Sequence, residues 1–513
     1  MAITEFSGGP DRATVVLVGA AASKSARRIF GEQGYMLVSR ANAALPDADL
    51  AVTSAVVISQ KPDKPLNVFA ELASHARRLL DWDCQVFVRV AAEPRLQGKG
   101  HEIVVNALRT LSLPEAKSAD NQIGLPPFVY VCDSGEQLAD IARLIRQVGS
   151  GRAPNLYLSV TAFDSDHRGI ELQPEDALLV RRAFWDCSSV QLRSMAAGLS
   201  GASIYRAHAS LTGGVPGPWP HPFFVKLGSR AQIEQEYRGY RDNARMYIPF
   251  HLGPRLDVGR SGLGSSRGVL VGDLVEEGQL LKHCARHGRA VPAIANLFSK
   301  TLRSWYLTSS EEADQSISGQ LIHIFPDVVP PHRLEIIRGL GATLALADLR
   351  QRFIECNSTP VRIGHIHGDL HAGNILVRST DAVVIDFEKT TDALPILYDA
   401  ASVEGGLLVD GFLRDGRKPS ELLASLEPLY SGGGDLRWMI PCHPGDPSSW
   451  FYDCVHQIRI QARQMQSQEF QYAATLALVL IKKACNEQRF DDKAEALRAV
   501  AYVLGERLLL AKK

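Results

Sequence analysis

Between His365 and Thr390 the chain reads HIHGDLHAGNILVRSTDAVVIDFEKT. Asp369, Asn374 and Asp386 flank a hairpin pattern: an apolar run Ile375-Leu376-Val377, a turn at Ser379-Thr380-Asp381, and a strand from Ala382 to Ile385. Such a hairpin presents two carboxyls and one amide from its ends, where loops carry chemistry. A carboxylate can orient and deprotonate an attacking hydroxyl, and oxygen ligands can hold Mg²⁺ against nucleotide phosphates, so the set suits phosphoryl transfer. The plain alternative is a hairpin whose His and Asp residues have no catalytic task.

The order His367-Gly368-Asp369-Leu370-His371, then Asn374, a strand and Asp386-Phe387-Glu388, resembles the catalytic core of the aminoglycoside phosphotransferase and choline-kinase-like families, relatives of the protein kinases. Protein kinases open this loop as H-R-D and close the metal motif as D-F-G. The forms H-G-D and D-F-E favour the small-molecule branch. The resemblance implies that Asp369 is the catalytic base and that Asn374 and Asp386 hold Mg²⁺. It implies loop support from His367 and His371, which brace by hydrogen bonding rather than move protons. Glu388 is a supporting or outer metal position, and Asp399, in Pro395-Ile396-Leu397-Tyr398-Asp399-Ala400-Ala401, resembles the family aspartate that steadies the loop.

Upstream, strands are expected at Val190–Ala196, Ile204–Ala209 and Phe223–Leu227, with Gly198-Leu199-Ser200-Gly201-Ala202-Ser203 joining the first two. Gly198, Gly201 and Ser203 would let backbone amides approach phosphates. By resemblance, Lys226 is the lysine that contacts the phosphates, and a helix from Ala231 to Tyr247 carries its carboxylate partner, Glu236 rather than Glu234. The alternative for Lys226 is a surface lysine ending an edge strand. Gly268 to Val275 reads as a further strand, and Val275 to Glu277 resembles the hinge whose backbone binds the nucleotide base. Helices are expected at Gln279–His287 and Val291–Ser309. A long one runs from Pro331 to Cys356, and others lie near Trp450–Gln466, Phe470–Ala484 and after Asp491.

From Thr14 to Gly149 apolar strands (Thr14–Ala20, Met36–Ser39, Ala55–Ser59, Gln85–Ala91, Phe128–Cys132) alternate with amphipathic helical stretches, which predicts a parallel sheet covered on both faces. The pattern resembles a flavodoxin-like or response-regulator receiver domain. Ser59 and Gln60 stand where a receiver carries its phosphate-accepting aspartate, and Cys132-Asp133 where it carries a lysine, so the resemblance is to a degenerate receiver. Gly19 to Ser25 departs from a phosphate loop, which needs glycines at Val18 and Ser23. It reads instead as a strand-to-helix turn with Ser23 at the helix start.

The resulting reading is a multidomain chain. An α/β flavodoxin-like domain spans 1–150, a linker and packing helix (Pro174 to Trp185) span 151–184, and an α+β bilobal protein-kinase-like fold follows, with its N-lobe at 185–278 and a helical C-lobe at 279–513. The 513 residues hold 56 Lys plus Arg against 56 Asp plus Glu, a balance that gives no reason to expect nucleic acid or an anionic membrane as partner. The eight cysteines are scattered singly, without a CxxC pair. Met1 to Arg12 lacks the basic and apolar regions of a signal peptide, and Ala473 to Ile481, which ends in Lys482-Lys483, is too short to span a bilayer. A cytoplasmic enzyme is expected, using ATP or GTP with Mg²⁺ to phosphorylate a small-molecule hydroxyl, with a protein partner docking on the first domain. Two rivals stand beside it: a regulatory or scaffold protein whose kinase-like domain only binds nucleotide, and a Ser/Thr protein kinase.

Overall fold

The computed structural model describes residues 12–59, 67–89, 100–111, 113, 117–118, 129–132, 138–148, 154–195, 201–212, 222–431, 442 and 445–511. Gln60, Asp133, Gly198 and most of the expected linker at Gly149–Pro154 lie outside these residues. Contacts divide the chain into two units, Met1–Gln235 with Arg255–Leu274, and Glu236–Pro254 with Val275–Lys513.

The first unit opens with near-continuous apolar strands. They are Thr14–Val18 (β1), Met36–Arg40 (β2), Thr53–Ser59 (β3), Gln85–Arg89 (β4), Lys117–Ser118 (β5) and Val129–Cys132 (β6). Runs of this kind belong to sheets buried on both faces, and the six strands form one sheet, all neighbours parallel, in the order β2-β1-β3-β4-β6-β5. Alternation splits each strand between two cores. Val16, Val56, Ile58, Val86 and Val88 pack with Leu72 and Leu108 of helices Val68–Asp81 and Gly100–Thr110. Val15, Leu17, Ala55, Val57 and Phe87 pack with Phe30 and Ile145 of helices Lys24–Glu32 and Leu138–Val148. Ser23 caps the first of these helices, its hydroxyl accepting from the Ala26 amide at 3.0 Å.

A second sheet in the same unit has seven strands: Ser159–Phe163 (β7), Gly169–Ile170 (β8), Cys187–Ser194 (β9), Ser203–Leu211 (β10), Phe223–Ser229 (β11), Gly262–Leu263 (β12) and Arg267–Asp273 (β13). Their order is β12-β13-β11-β10-β9-β7-β8, antiparallel except for β7 beside β9. The β7–β8 hairpin is an addition that sequence reasoning did not single out. Helix Pro174–Ala183 covers one face, burying Leu179, Val180 and Ala183 against Val190, Leu192, Val225 and Val269.

The second unit holds two small sheets and a helical core. Gln279–Leu280 (β14), Ile375–Arg378 (β17) and Asp381–Val384 (β18) form one sheet; Ser310–Glu312 (β15), Val361–Ile366 (β16) and Thr391–Pro395 (β19) form the other. The expected hairpin is therefore present, with Ser379 turning at φ +57°. Helices Leu397–Gly411, Ser449–Met465, Gln471–Ala484 and Asp492–Leu510 build the core. Inside it the Glu404–Arg459 ion pair at 2.7 Å is wholly buried, and Tyr472 Oη and the Leu429 carbonyl meet its remaining hydrogen-bonding demand.

Four expected helices are corrected. Gln279 and Leu280 pair with β17, so only Leu281–Arg286 is helical there. Val291–Ser309 breaks into Val291–Asn296, a wider turn at Leu297–Thr301 and Arg303–Leu307, with Ser309 outside them. The helix expected from Ala231 runs Arg230–Gly239 and continues as a wide turn to Ala244. The long helix from Pro331 divides into Pro331–Gly339 and Leu346–Ile354. Gly341 adopts φ +91° between them, and buried Glu506 accepts from the Thr343 and Leu344 amides at 2.8 and 2.6 Å and from the Thr343 hydroxyl. A carboxylate from a distant helix thus satisfies the amides that a continuous helix would have used internally. Glu506→Ala leaves those part-buried amides without their carboxylate acceptor and should lower stability by about 1–2 kcal/mol. Denaturant titration checks this, and an unchanged midpoint would show that water replaces the carboxylate.

Candidate active site

β16 delivers the chain into the loop at His367, and the loop's course is set by Asp399 on the following helix. The Asp399 carboxylate, wholly buried, accepts from the His367 amide at 2.8 Å and the Gly368 amide at 3.1 Å. Burial pushes its pKa up to about 6, against the opposing pull of His367 and of the two amides. Gly368 sits at φ +76°, and a β-carbon there would run into the Lys389 carbonyl. Glycine is needed on both counts, conformation and space. Nε2 of His367 donates to the Ile385 carbonyl at 3.0 Å, which ties the loop to the end of β18.

The turn after Gly368 closes on itself. Nδ2 of Asn374 donates to the Asp369 carbonyl at 3.0 Å, and the His371 amide donates to the same oxygen. Asn374 is 9% exposed, whereas Asp369 is exposed. His371 is held below the ordinary imidazole range by burial first and by Lys483 second, so its Nδ1 is free to accept from the Gly373 amide at 3.0 Å. The register Ile375↔Val384, extended by the Ile385 amide donating to the Asn374 carbonyl at 3.0 Å, brings Asn374 and Asp386 to one end of the hairpin. Asp386 takes φ +68°, a left-handed conformation that Asp tolerates better than most residues. Phe387 is buried between His367 and Tyr240, with ring centroids 5.7 and 5.8 Å away. Glu388 pairs with Lys389 at 3.2 Å.

Two oxygen donors, a carboxylate and an amide, thus stand at one end of the hairpin, with an exposed carboxylate on the loop beside them. Residues 338–403 match the model of the phosphotransferase enzyme family. That segment contains Asp369, Asn374, Asp386, Glu388 and Asp399, the whole of the loop and its brace. The resemblance read from the sequence is borne out over this segment. No curated protein matches the chain. Among solved structures the chain is similar to a thermostable mutant of the aminoglycoside phosphotransferase APH(4)-Ia, at 14% identity and TM-score 0.35, covering 61% of this chain and 93% of that one. It is similar to a glucosamine kinase in complex with glucosamine, ADP and inorganic phosphate at 12% identity and TM-score 0.35, over 67% and 88% of the two chains. A choline/ethanolamine kinase family protein from Mesorhizobium loti matches at 12% and 0.35, over 62% and 91%.

The remaining expected positions fall in both units. In the first unit, Lys226 lies on β11, an interior strand between β13 and β10, and is 2% exposed. A surface lysine on an edge strand is excluded. Gly201, at φ +73° with open space around it, turns the chain into β10, which Ser203 begins in register with Leu227. Glu234 is on the same helix as Arg230 and offsets part of the burial that lowers the Arg230 pKa. In the second unit, Glu236 is 4% exposed, and three residues on, Gly239 lies so close to the Phe387 carbonyl that a β-carbon would collide with it. The loop at Phe387 is thereby pinned to the segment that carries Glu236. Val275 and Glu277 precede Gly278, whose space is limited by Leu376 of β17 and by Val275 itself. The segment read as a hinge therefore packs on the β17–β18 hairpin, with Glu277 at φ +60°.

Lys483 is a residue that sequence reasoning noticed only as the end of an apolar stretch. Burial lowers its pKa, while the carboxylates of Asp410 and Asp369 work the other way. Its stem passes 3.4 Å from the β-carbon position of Gly405, and Gly406 next to it leaves room for His371 and Ala372. The signal available in the sequence was the pair Gly405-Gly406 inside a helix, which marks a close approach.

Two outcomes test this geometry. Gly368→Ala meets both strain and a backbone clash and should destabilise by about 2 kcal/mol or more, whereas Gly341→Ala, with open space, should lose only the roughly 1 kcal/mol of left-handed strain; thermal melts compare the two, and equal losses would discount the contact with Lys389. For Asp399, the folded pKa lies above the ordinary value of 3.8, so the native state holds a proton that the unfolded chain has released. Its contribution to stability is therefore fully present below about pH 4 and declines as pH rises through 6, by about 3 kcal/mol for a rise of this size. The stability difference between wild type and Asp399→Asn should shrink over that window; a difference that grows with pH would reverse the assignment.

Proposed function

We propose that the protein is a Mg²⁺-dependent phosphotransferase that moves the γ-phosphoryl group of ATP or GTP to a hydroxyl of a small molecule. The observation that carries this is the convergence of Asp369, Asn374 and Asp386 on a loop braced from beneath by Asp399. Three further features support it. The match to the phosphotransferase enzyme family covers the loop, H-G-D and D-F-E favour small-molecule acceptors over protein serine or threonine, and none of the three polar residues is replaced as in a pure scaffold.

In this reading Asn374 and Asp386 hold the metal. The donor set fits: one carboxylate and one amide oxygen suit a hard cation that completes its shell with phosphate oxygens and water. The cation would supply charge neutralisation at the phosphates. Asp369 orients the acceptor hydroxyl and takes its proton as the oxygen bonds to the γ-phosphorus; the bond from that phosphorus to the bridging oxygen breaks, and nucleoside diphosphate leaves. Lys226 is assigned to the phosphates, with Glu236 as the carboxylate that the resemblance gives it, the amides near Gly201 and Ser203 to the same groups, and the backbone at Val275–Glu277 to the base. Positioning and fixed charge supply most of the acceleration in such a site.

The N-terminal sheet we assign to the flavodoxin-like class, with the receiver pattern in degenerate form. The β2-β1-β3-β4 order followed by the strand Val129–Cys132 agrees with that class. A protein partner on this layer remains our reading. The cytoplasm is the compartment we assign, supported by eight cysteines that are all free. No described helix is long and apolar enough to cross a membrane.

Asp369→Asn should leave Mg-nucleotide affinity within a few-fold of wild type while turnover drops about a hundredfold or more, because this carboxylate serves the acceptor rather than the nucleotide. Equal turnover in the two proteins, measured with γ-labelled ATP and a panel of hydroxyl metabolites, would remove Asp369 from the chemistry.

A further inference from the structure

At the carboxyl edge of the N-terminal sheet, polar groups end the strands without a use in phosphoryl transfer. Ser59 and Arg89 are register partners closing β3 and β4, and neighbours of this kind lie about 5 Å apart. Side chains alternate along a strand, so Ser59 continues the row of Ala55 and Val57, and Arg89 follows Phe87. Those residues pack in one core with Ala26 and Phe30 of helix Lys24–Glu32. Ser59 is 4% exposed, and its hydroxyl has no hydrogen-bond partner. Nε of Arg89 is likewise buried and without a partner. A hydroxyl and a guanidinium N–H left unpaired side by side on one face are costly in an empty fold and useful to an anion.

The same face carries the start of a helix. β1 neighbours β3 with Val18 opposite Ile58, and it exits through Gly19, at φ +79°, into that helix. Ser23 uses its hydroxyl on the Ala26 amide and its carbonyl on the Arg27 amide. The amides of Lys24 and Ser25 have no acceptor among the described residues. The first turn holds no Asp or Glu, so nothing acidic from within it fills the positive end of the helix. A phosphate loop would need glycines at Val18 and Ser23 to wrap a triphosphate. Helix-end amides alone offer room for a single phosphoryl group or a diphosphate.

We infer that this edge is a second anion site, which takes the phosphate or diphosphate group of a small molecule on the Lys24 and Ser25 amides, the Ser59 hydroxyl and the Arg89 guanidinium. It binds without chemistry and stands apart from the phosphotransfer reading, so either can fail without the other.

Calorimetric titration of the full chain with inorganic phosphate and with pyrophosphate, at constant ionic strength and without Mg²⁺ or nucleotide, tests it. At least one probe should saturate a site in wild type and equally in Lys226→Ala and Asp386→Asn. Ser59→Ala and Arg89→Met should each weaken that site by about tenfold or more, the scale of one lost hydrogen bond to a charged group. Lys24→Glu sets a carboxylate at an exposed first-turn position where it suits the helix, so it should weaken the anion at an unchanged or raised Tm. That variant and Ser59→Ala decide the matter if Arg89→Met folds poorly. Absence of saturable binding, binding indifferent to Ser59, Arg89 and Lys24, or binding lost only in Lys226→Ala would each overturn the site.

Discussion

One buried carboxylate holds the loop from His367 to Asn374 in place. Asp399 accepts from two successive amides, His367 and Gly368, and a loop gripped at two consecutive peptide groups has little freedom left. Gly368 completes the constraint, since it alone tolerates both the left-handed backbone and the Lys389 carbonyl against it. With those residues fixed, Asp369 is turned outward and Asn374 folds back onto its carbonyl. A carboxylate held above its ordinary pKa is a weak anion, and the amides compensate part of that burial. The brace therefore serves placement, and Asp369 next to it stays exposed.

Behind the brace stands a helical core whose close approaches are set by small residues. Gly405 and Gly406 admit Val479, the Lys483 stem and the loop residues His371 and Ala372. Glu404, on the same helix as Asp399, is tied to Arg459 and Tyr472 with neither ion exposed. A pair of this kind adds little net stability, yet removing one partner strands the other charge in an apolar interior. Its effect is to fix the rotation of the helix about its axis, and with it the direction in which Asp399 points. Placement of reacting groups to within a fraction of an ångström depends on such rigid supports rather than on the loop itself.

In the first unit a polar network plays the corresponding part. Arg12, wholly buried, donates to the carbonyls of Leu50, Trp82 and Asp83. Asp83 pairs with Arg182 at 2.5 Å, Asp81 bonds Ser265, and Glu175 accepts from Ser266 and from the Arg267 amide. These contacts join the six-stranded sheet, the helix behind the seven-stranded one and its β12–β13 hairpin. Both sheets thus fall within one unit even though their strand patterns differ completely. Charged residues at such positions specify one docking geometry, because any other leaves a buried ion alone.

The sequence by itself determined the local elements and singled out Asp369, Asn374 and Asp386, the groups to which we assign the chemistry. Continuous apolar runs located the parallel strands, turn residues between two apolar segments located the β17–β18 hairpin, and 3.6-residue periods located the C-terminal helices, because each pattern reports how one element is buried. The spacing from Asp369 to Asn374 to Asp386 was legible for the same reason: a short hairpin is a local structure. Long-range contacts decided the rest. A single helix from Pro331 to Cys356 was the reading from its apolar period, although Gly339 and Gly341 weaken a helix at that point, and Glu506, more than 160 residues away, accepts from the amides that the interruption frees. Gln279 and Leu280 became a strand because β17 offered an open edge. Lys483 and Gly239 gained their positions beside the loop from packing that no window of sequence contains. Composition and period fix what a segment can become, but its partner across the core fixes what it is, since buried hydrogen bonds must be satisfied by whatever group the tertiary structure brings to them.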